Sequence, residues 1–476
     1  MSRPLAFAQM ELTMSKLDAA LAHADAHIEE SLERLKALVR IKSISTDPAY
    51  AGDVRKAAEL LSADLNQLGF DASVRDTIGH PMVVAHDTTA DGPHVLFYAH
   101  YDVQPVDPLN LWHSDPFEPQ LVKQANGETH IVGRGTSDDK GQLLTFVEAC
   151  RAWKAVNGAL PLKVTLFFEG EEESGSKSLR PFLEGAKDEL GVAEVALVCD
   201  TDLWNPTTPS IVTMLRGMVA EEIEITCASH DLHSGMFGNA ARNPIQVLSE
   251  IIASLRNSDG SVAIEGFYDD VKELPSDVAA LWQRLPFDEK AFMAGAGLTT
   301  SAGEQGRSVL EQTRARPTCE INGIIGGYTG DGFKTVIPAK ASAKISFRLV
   351  SEMDPDKIRA AFRKHVTDRL PPDATVTFHG HGGSPAVTVP SDGPFVAKAA
   401  KALQQEWGNE TALIGSGGSI PVAGEFKRIL GLDTLLIGFA LDDDRIHSPN
   451  EKYNLSSFHK GIRSWLRIIA SFAGEA

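Results

Sequence analysis

Cysteine is scarce in this sequence, with four among 476 residues. The four are widely separated and none forms a C-x-x-C pair, which argues against a thiolate metal site or a disulfide framework. They are Cys150, Cys199, Cys227 and Cys319. So few and so scattered cysteines indicate a reducing compartment, and we predict a cytoplasmic protein.

Long apolar runs and an excess of positive charge are also missing. No segment approaches the roughly 20 consecutive apolar residues of a membrane span, and residues 1–26 lack the apolar core of a secretory signal. The 64 acidic residues outnumber the 45 basic ones, giving a formal charge of −19, which repels nucleic acid and anionic membranes. We therefore expect neither as a partner.

Length and hydrophobic pattern predict two domains. A chain of 476 residues exceeds what one hydrophobic core usually organises. In its first part, helices are predicted at 28–39, 54–68, 141–156 and 178–190, and strands at 81–85, 94–99, 162–168 and 195–199. Strands that are apolar on both faces and alternate with helices predict an α/β domain, built on a mostly parallel sheet with helices on both faces.

A different pattern begins at residue 216. Strands of alternating polarity are predicted at 218–226 and 341–349, helices at 244–256 and 355–369, and a loop at 285–306. This pattern predicts an inserted α+β domain over residues 216–386, with helices on one face of a sheet. The first domain then comprises residues 1–215 and 387–476, where strand–helix alternation resumes.

Polar residues follow apolar runs at four places, namely 98–102, 133–141, 169–175 and 199–202. In open α/β sheets, ligands bind at the carboxyl ends of the strands. A histidine and several carboxylates without cysteine form a ligand set suited to zinc, manganese or cobalt. Each segment alone is more typical of a structural histidine or a solvated acidic face. Gathered at one edge, however, the carboxylates would destabilise the fold unless cations neutralised them.

Two residue pairs within these segments indicate how the chemistry could be divided. In the H-x-D pair of His100 and Asp102, the carboxylate can accept the second imidazole N–H and orient a metal-bound histidine. Of the adjacent Glu172 and Glu173, one could coordinate metal and the other take a proton from the attacking water. Two metal ions that share a carboxylate would lower the pKa of a water molecule between them to near neutrality.

Together the motifs resemble metallopeptidase family M20, and within it the branch of cytosolic non-specific dipeptidases and carnosine dipeptidases. The resemblance rests on H-x-D at 100–102, G-R-G-x-x-D-D-K-G at 133–141, E-G-x-E-E-S-G-S at 169–176 and D-L-H-S-G-x-x-G at 231–238, with further matches at 334–338, 417–421 and 447–451. It extends from about residue 30 through essentially the rest of the chain. It implies a hydrolase that cleaves the peptide bond of dipeptides with two divalent metal ions, zinc foremost and otherwise manganese or cobalt.

The same resemblance assigns the metal ligands. It implies that Asp138 bridges the two ions, that His100 and Asp200 complete one position, and that Glu173 and His447 complete the other. Asp202 competes for the role of Asp200, because it lies only two residues further on. An ungapped match through Arg216 and Gly217 favours Asp200.

Catalytic and substrate-binding roles are likewise implied by the resemblance. Glu172 would be the general base and Asp102 the residue that orients His100. The inserted domain would act as a lid and form a homodimer, with His233 reaching the partner's active site to stabilise the tetrahedral intermediate. Contacts to a small peptide substrate, including its terminal carboxylate, would come from Thr335, Arg348 and Ser419.

One departure and two alternatives remain open. Gly415 and Ser416 stand where relatives commonly have Arg-Glu, which affects the expected side-chain preference rather than the reaction. An N-acyl amino acid deacylase of the aminoacylase, acetylornithine or succinyl-diaminopimelate type is the main alternative. A catalytically silent binding protein is the other, and Glu172 argues against it. We interpret His80, His86, His113 and the pair His379 and His381 as structural or surface residues.

Overall fold

The computed structural model describes residues 14–389, 391–417 and 420–475. The chain divides into two compact units. Unit 1 comprises Met1–Ile211, Ser391–Ala412 and Glu425–Ala476, and unit 2 comprises Val212–Pro390 and Leu413–Gly424. Among the described residues, no helix has the length and apolar character needed to cross a membrane.

The strands in chain order are β1 Asp71–Arg75, β2 Met82–Asp87, β3 His94–His100, β4 Gln120–Lys123, β5 Thr129–Val132, β6 Lys163–Glu169, β7 Val195–Val198, β8 Ser210–Leu215, β9 Gly217–Thr226, β10 Leu232–His233, β11 Thr318–Gly326, β12 Val336–Ile337, β13 Lys340–Leu349, β14 Thr375–Ser384, β15 Val387–Thr388, β16 Ala412–Ser416, β17 Thr434–Leu436 and β18 Lys452–Asn454.

The α-helices are α1 Lys16–Ala26, α2 Ile28–Val39, α3 Ala51–Gln67, α4 Lys140–Asn157, α5 Leu179–Gly185, α6 Lys187–Leu190, α7 Ser234–Phe237, α8 Pro244–Ala253, α9 Ser276–Arg284, α10 Glu289–Gly295, α11 Val309–Arg314, α12 Pro355–Thr367, α13 Pro394–Trp407, α14 Pro421–Glu425 and α15 Leu455–Ala473.

Unit 1 contains the expected mostly parallel sheet, with strand order β1-β2-β6-β3-β7-β17. The central strands β6, β3, β7 and β17 run parallel, whereas β1 and β2 are antiparallel to their neighbours. Every residue of β3 is buried, as a strand covered on both faces requires. Phe97 stacks on Phe146 of α4, and the next residue, Tyr98, packs on Phe426. Because successive side chains point to opposite faces, helical segments cover both sides and the predicted α/β class is confirmed.

A second, smaller sheet in unit 1 changes one expectation from the sequence. Strands β4, β5 and β18 form a three-stranded antiparallel sheet in the order β18-β5-β4. The polar segment 133–141 follows β5 of this sheet, so only three of the four polar segments follow strands of the large sheet. The prediction that all four end strands of one parallel sheet is therefore wrong. Segment 133–141 instead leads directly into α4.

Unit 2 contains a four-stranded antiparallel sheet in the order β11-β13-β9-β14. Buried and partly exposed residues alternate along all of β9, which places one face on a core. That core includes Phe347 of β13 and Phe362 of α12, whose rings lie 5.2 Å apart. The prediction of a loop at 285–306 is wrong in part, because Asp288 caps the short helix α10 through the backbone N–H groups of Lys290 and Ala291.

Candidate active site

The carboxylate of Asp138 lies between two histidines in unit 1. Its Oδ1 is 3.1 Å from Nε2 of His100, and its Oδ2 is 3.0 Å from Nε2 of His447. Nε2 of His447 is also 3.1 Å from Oε2 of Glu173. Each oxygen of one carboxylate thus faces a different imidazole, which is the arrangement that a bridging carboxylate requires.

Two groups of potential metal ligands share this residue. The first consists of His100, Asp138 and Asp200, and the second of Asp138, Glu173 and His447. Within each group the ligand atoms lie within 4.8 Å of one another. All the donors are imidazole nitrogen or carboxylate oxygen, a set that fits zinc, manganese or cobalt.

Asp202, the competing candidate for the role of Asp200, is not in either group. Its side chain is exposed, and its backbone pairs with Ala440 in an isolated bridge. Asp200 lies two residues beyond the end of β7 and is grouped with His100, which ends the neighbouring parallel strand β3. The structure therefore groups Asp200, and not the exposed Asp202, with His100.

Asp102 connects His100 to the glutamate pair. Its fully buried carboxylate lies 3.3 Å from Nδ1 of His100, which is also 3.2 Å from the Asp102 carbonyl oxygen. The same carboxylate accepts hydrogen bonds from the backbone N–H groups of Glu172 at 3.2 Å and Glu173 at 3.0 Å. One side chain therefore orients an imidazole and fixes the start of the 3₁₀ turn that carries both glutamates.

The electrostatics of the site favour bound cations. Burial acts to raise the pKa of Asp138, but hydrogen bonds from His100 and His447 outweigh it and hold this pKa below its usual range. Burial, together with the negative charge of Asp138, raises the pKa of Asp200 well above its usual range. Carboxylates that are buried so close together repel one another, and divalent ions among them would remove that repulsion.

Glu172 differs from its neighbour in its surroundings. Burial raises the pKa of the Glu172 carboxyl to about 7, and the charges of Glu173 and Asp102 act in the same direction. Glu173 instead contacts His447 and accepts a hydrogen bond from Nε2 of Gln104 at 2.8 Å. A carboxyl whose pKa lies near neutrality is suited to accept and return a proton.

His447 occupies a turn with unusual backbone geometry. Both His447 and Asn450 have positive φ angles, 63° and 64°, in the left-handed region that costs a residue other than glycine about 1–3 kcal/mol. The Asn450 side chain holds this turn in place, accepting from the backbone N–H of His113 and donating to the carbonyl oxygen of Leu111, both at 2.8 Å.

Two of the sequence motifs meet in unit 2. Strand β10, from D-L-H-S-G, pairs antiparallel with β12, from the 334–338 segment, so that His233 lies opposite Val336. Nδ1 of His233 accepts the backbone N–H of Gly235 at 3.0 Å. A Cβ atom at position 235 would lie 2.9 Å from Cε1 of His233, so this close approach requires glycine. In the neutral imidazole the proton is then on Nε2.

The predicted substrate residues are distributed within unit 2. Thr335 is exposed and its carbonyl oxygen accepts the backbone N–H of Ser234 at 3.1 Å. Arg348 is on β13, paired with Thr318 and Met218. Burial and the nearby charge of Arg348 lower the pKa of Arg216 to about 10. Ser419 lies outside the described residues.

The loop that departs from the family pattern approaches two arginines within unit 2. Nη1 of Arg314 donates to the carbonyl oxygen of Gly415 at 2.7 Å, and Nε of Arg216 donates to that of Gly417 at 3.1 Å. A Cβ atom on Gly417 would lie 2.9 Å from the Arg216 guanidinium. Small residues in this loop thus let two guanidinium groups approach its backbone.

Two supporting residues were missed from the sequence. Gln104 holds Glu173, and the hydroxyl of Ser45 donates to Oδ2 of Asp102 at 2.5 Å. Gln104 could have been noticed, because it lies two residues beyond Asp102. Ser45 carries no signal, since it is in a distant segment that only the fold brings to the site.

Comparisons with known proteins agree with this geometry. Residues 96–471 match Peptidase family M20/M25/M40. The Cys-Gly metallodipeptidase DUG1 of Saccharomyces cerevisiae is 31% identical over 461 residues, covering 92% of this chain and 95% of that protein. The Beta-Ala-His dipeptidase of Homo sapiens is 28% identical, covering 96% of this chain and 93% of that protein.

A solved structure is also similar to this chain over nearly its whole length. The M20 family metallo-carboxypeptidase Sso-CP2 from Sulfolobus solfataricus has a TM-score of 0.81 at 30% sequence identity, covering 93% of this chain and 99% of that chain. Sequence and structure are thus similar over nearly the whole length of each protein.

Proposed function

The chain belongs to peptidase family M20/M25/M40, and from this membership we propose that it is a metal-dependent dipeptidase with two metal ions, zinc in the first place. The observation that carries the proposal is the Asp138 carboxylate, whose two oxygens face His100 and His447. Relatives named as dipeptidases cover nearly the whole chain. The deacylase alternative is not favoured by these comparisons.

We assign each residue of the site a separate role in the reaction. His100, Asp138, Asp200, Glu173 and His447 would hold the ions. Bound divalent ions would lower the pKa of the attacking water and polarise the scissile carbonyl group. Glu172 accepts the proton of the attacking water and returns it to the leaving amine. Asp102 accepts the Nδ1 proton of His100, which leaves the Nε2 atom beside Asp138 free to bind metal.

We expect activity to require divalent metal. Dialysis against a chelator should reduce dipeptide hydrolysis to background, and zinc, manganese or cobalt should restore it, because the donors are nitrogen and oxygen without a thiolate. Circular dichroism of the dialysed protein should show that the fold persists. Full hydrolysis by protein shown to be metal-free would refute the mechanism.

Arg348 supports a preference for substrates with a free carboxyl terminus. Its charge acts to lower the pKa of Arg216, so two guanidinium groups lie near one another in unit 2. A planar guanidinium binds a carboxylate through two parallel hydrogen bonds. Thr335 and Ser419 are proposed as further donors. An enzyme that selects dipeptides by length must hold the end of the substrate opposite the scissile bond.

Replacing Arg348 with alanine should therefore lower kcat/KM on free dipeptides by about ten- to a hundredfold, the loss typical of a charge-assisted hydrogen bond. The same change should cause little further loss on dipeptide amides, which lack the carboxylate. Lys344, an exposed residue on the same strand, provides the control. Lys344→Ala should leave kcat/KM unchanged on both the free dipeptides and their amides. Equal losses on acid and amide would mean that Arg348 has a structural role.

We also propose a homodimer formed through unit 2, in which His233 acts on substrate bound by the partner subunit. Strand β11 is at an edge of its sheet and exposes Ile324 and Ile325, with relative accessibilities of 59% and 62%. An apolar edge strand is a favourable surface for association.

A cytoplasmic location stays a prediction from the sequence.

A further inference from the structure

A buried carboxylate outside both ligand groups links the segments that carry Asp138 and His447. The side chain of Glu451 has no exposed surface. Its Oε1 accepts the backbone N–H groups of Ser137 at 2.9 Å and Asp138 at 3.1 Å. Its Oε2 accepts the backbone N–H of Gly135 at 3.0 Å. A single carboxylate thus binds three amides of the loop that presents the bridging ligand.

The fourth donor to this carboxylate is Arg134. Its Nη1 lies 2.7 Å from Oε2 of Glu451, and its Nη2 donates to the carbonyl oxygen of Pro105 at 3.0 Å. Both side chains of the ion pair are buried. With four donors directed at two oxygens, the Glu451 carboxylate is well satisfied, as a charge in the interior must be.

The main chain of Glu451 is fixed as firmly as its side chain. Its carbonyl oxygen accepts the backbone N–H of Gly133 at 3.0 Å. The following residue begins β18, which pairs with β5 so that Lys452 lies opposite Val132. The backbone of Glu451 therefore cannot shift relative to the start of the Asp138 loop without breaking this small sheet.

His447 precedes Glu451 in the H-S-P-N-E segment. The turn between them includes the left-handed residues His447 and Asn450, so its backbone has little freedom to adjust. The Asn450 side chain holds the turn against residues Leu111 and His113. Any displacement of Glu451 from the Asp138 loop would consequently change the distance between the Asp138 carboxylate and the His447 imidazole.

We propose that Glu451 is a positioning residue that sets the Asp138 carboxylate against His447 and thereby determines the affinity of the metal position formed by Asp138, Glu173 and His447. The proposal rests on the proposed metal-dependent function. Residues that orient ligands without touching the metal typically change metal affinity by about 10- to 100-fold when replaced. A role in stability alone would instead affect unfolding and leave metal binding unchanged.

The test compares zinc binding by purified full-length variants. In Glu451→Gln the side chain keeps its shape but directs an NH₂ group at backbone or guanidinium donors. Zinc titration by calorimetry, with elemental analysis after dialysis, should show one of the two zinc ions bound about 10- to 100-fold more weakly than in the wild type. Arg134→Met removes one of the four donors and leaves the three amides, so its loss of zinc affinity should be smaller than that of Glu451→Gln.

Glu406→Gln is the matched control. Glu406 is a buried carboxylate in unit 1 that pairs with Arg463 at 2.7 Å and Arg467 at 2.8 Å and is not in either ligand group. This variant should lose thermal stability, measured as Tm, and retain both zinc ions. If Glu451→Gln does not fold, Glu451→Asp replaces it, because the shorter carboxylate keeps the charge but cannot reach all four donors.

Three results would overturn the proposal. They are wild-type zinc affinity in the Glu451 variant, an equal loss of zinc in Arg134→Met, and an equal loss in Glu406→Gln. A wild-type protein that bound no zinc, manganese or cobalt would instead overturn the proposed function. The two failures are therefore distinguishable in the same titrations.

Discussion

Replacing Glu172 with glutamine should lower kcat on dipeptides by about 10²- to 10⁴-fold, the range expected for loss of a general base. Glutamine has the same shape as glutamate but cannot accept the proton of the attacking water. Glu172 belongs to neither ligand group, so both metal ions should remain bound. Steady-state kinetics and elemental analysis of the same preparation measure the two effects together.

The neighbouring residue gives the matched control. Glu173→Gln removes a carboxylate oxygen that faces His447 and should weaken metal binding, with activity recovering in part when excess metal is added. Both substitutions make the same chemical change in one short turn, so a general disturbance of that turn would affect them equally. If Glu172→Gln lost metal and Glu173→Gln kept it, the two assignments would have to be exchanged.

Much of the fold was predictable because its signals are local. Helix 28–39 and the strand at 94–99 follow from periodicity and from a short apolar run, and the structure has them as Ile28–Val39 and His94–His100. The helix predicted at 178–190 is divided at Ala186 into α5 and α6, just after a glycine that favours such a break. Uninterrupted elements were thus predicted almost to the residue, whereas the break inside a helix was not.

Two strands that form by pairing with distant segments, β14 and β11, were not predicted from the sequence. Strand β14 contains the sequence H-G-H-G-G, and glycine is depleted in strands. Its pairing with β9 forms it nonetheless, with His379 opposite Glu222. The nearby His381 lies 4.0 Å from Glu222. Strand β11 contains a bulge near Gly323, which interrupts the alternation that would have revealed it.

The candidate site was predictable to the extent that its residues are neighbours in sequence. The pairs His100 with Asp102 and Glu172 with Glu173 carry their chemistry within one short segment. The individual ligands are implied by the family resemblance. The expectation that all four polar segments follow strands of one parallel sheet is wrong for segment 133–141, which follows the small sheet. Sequence reasoning could not identify the residues that hold the ligands in position. The contacts of Ser45 with Asp102 and of Glu451 with the Asp138 loop span long stretches of chain.

His233→Ala should lower kcat by about 10²- to 10³-fold with metal content unchanged, the loss expected when one oxyanion donor is removed. The structure gives this residue a defined donor, because Nδ1 accepts the Gly235 amide and the proton is then on Nε2. His230, an exposed histidine whose Nδ1 lies 2.9 Å from the Ser229 hydroxyl, is the control. His230→Ala should retain wild-type kcat.

The dimer proposal makes the sharper prediction about His233. If each active site combines Glu172 of one subunit with His233 of the other, then mixing inactive His233→Ala with inactive Glu172→Gln subunits should restore activity. In the mixed dimer, one site has both groups intact and the other lacks both. Random exchange in equal amounts should therefore recover about a quarter of wild-type activity, since about half of the dimers are mixed and each has one competent site. Exchange shown by mass spectrometry without any recovery would mean that His233 acts within its own subunit or has no catalytic role.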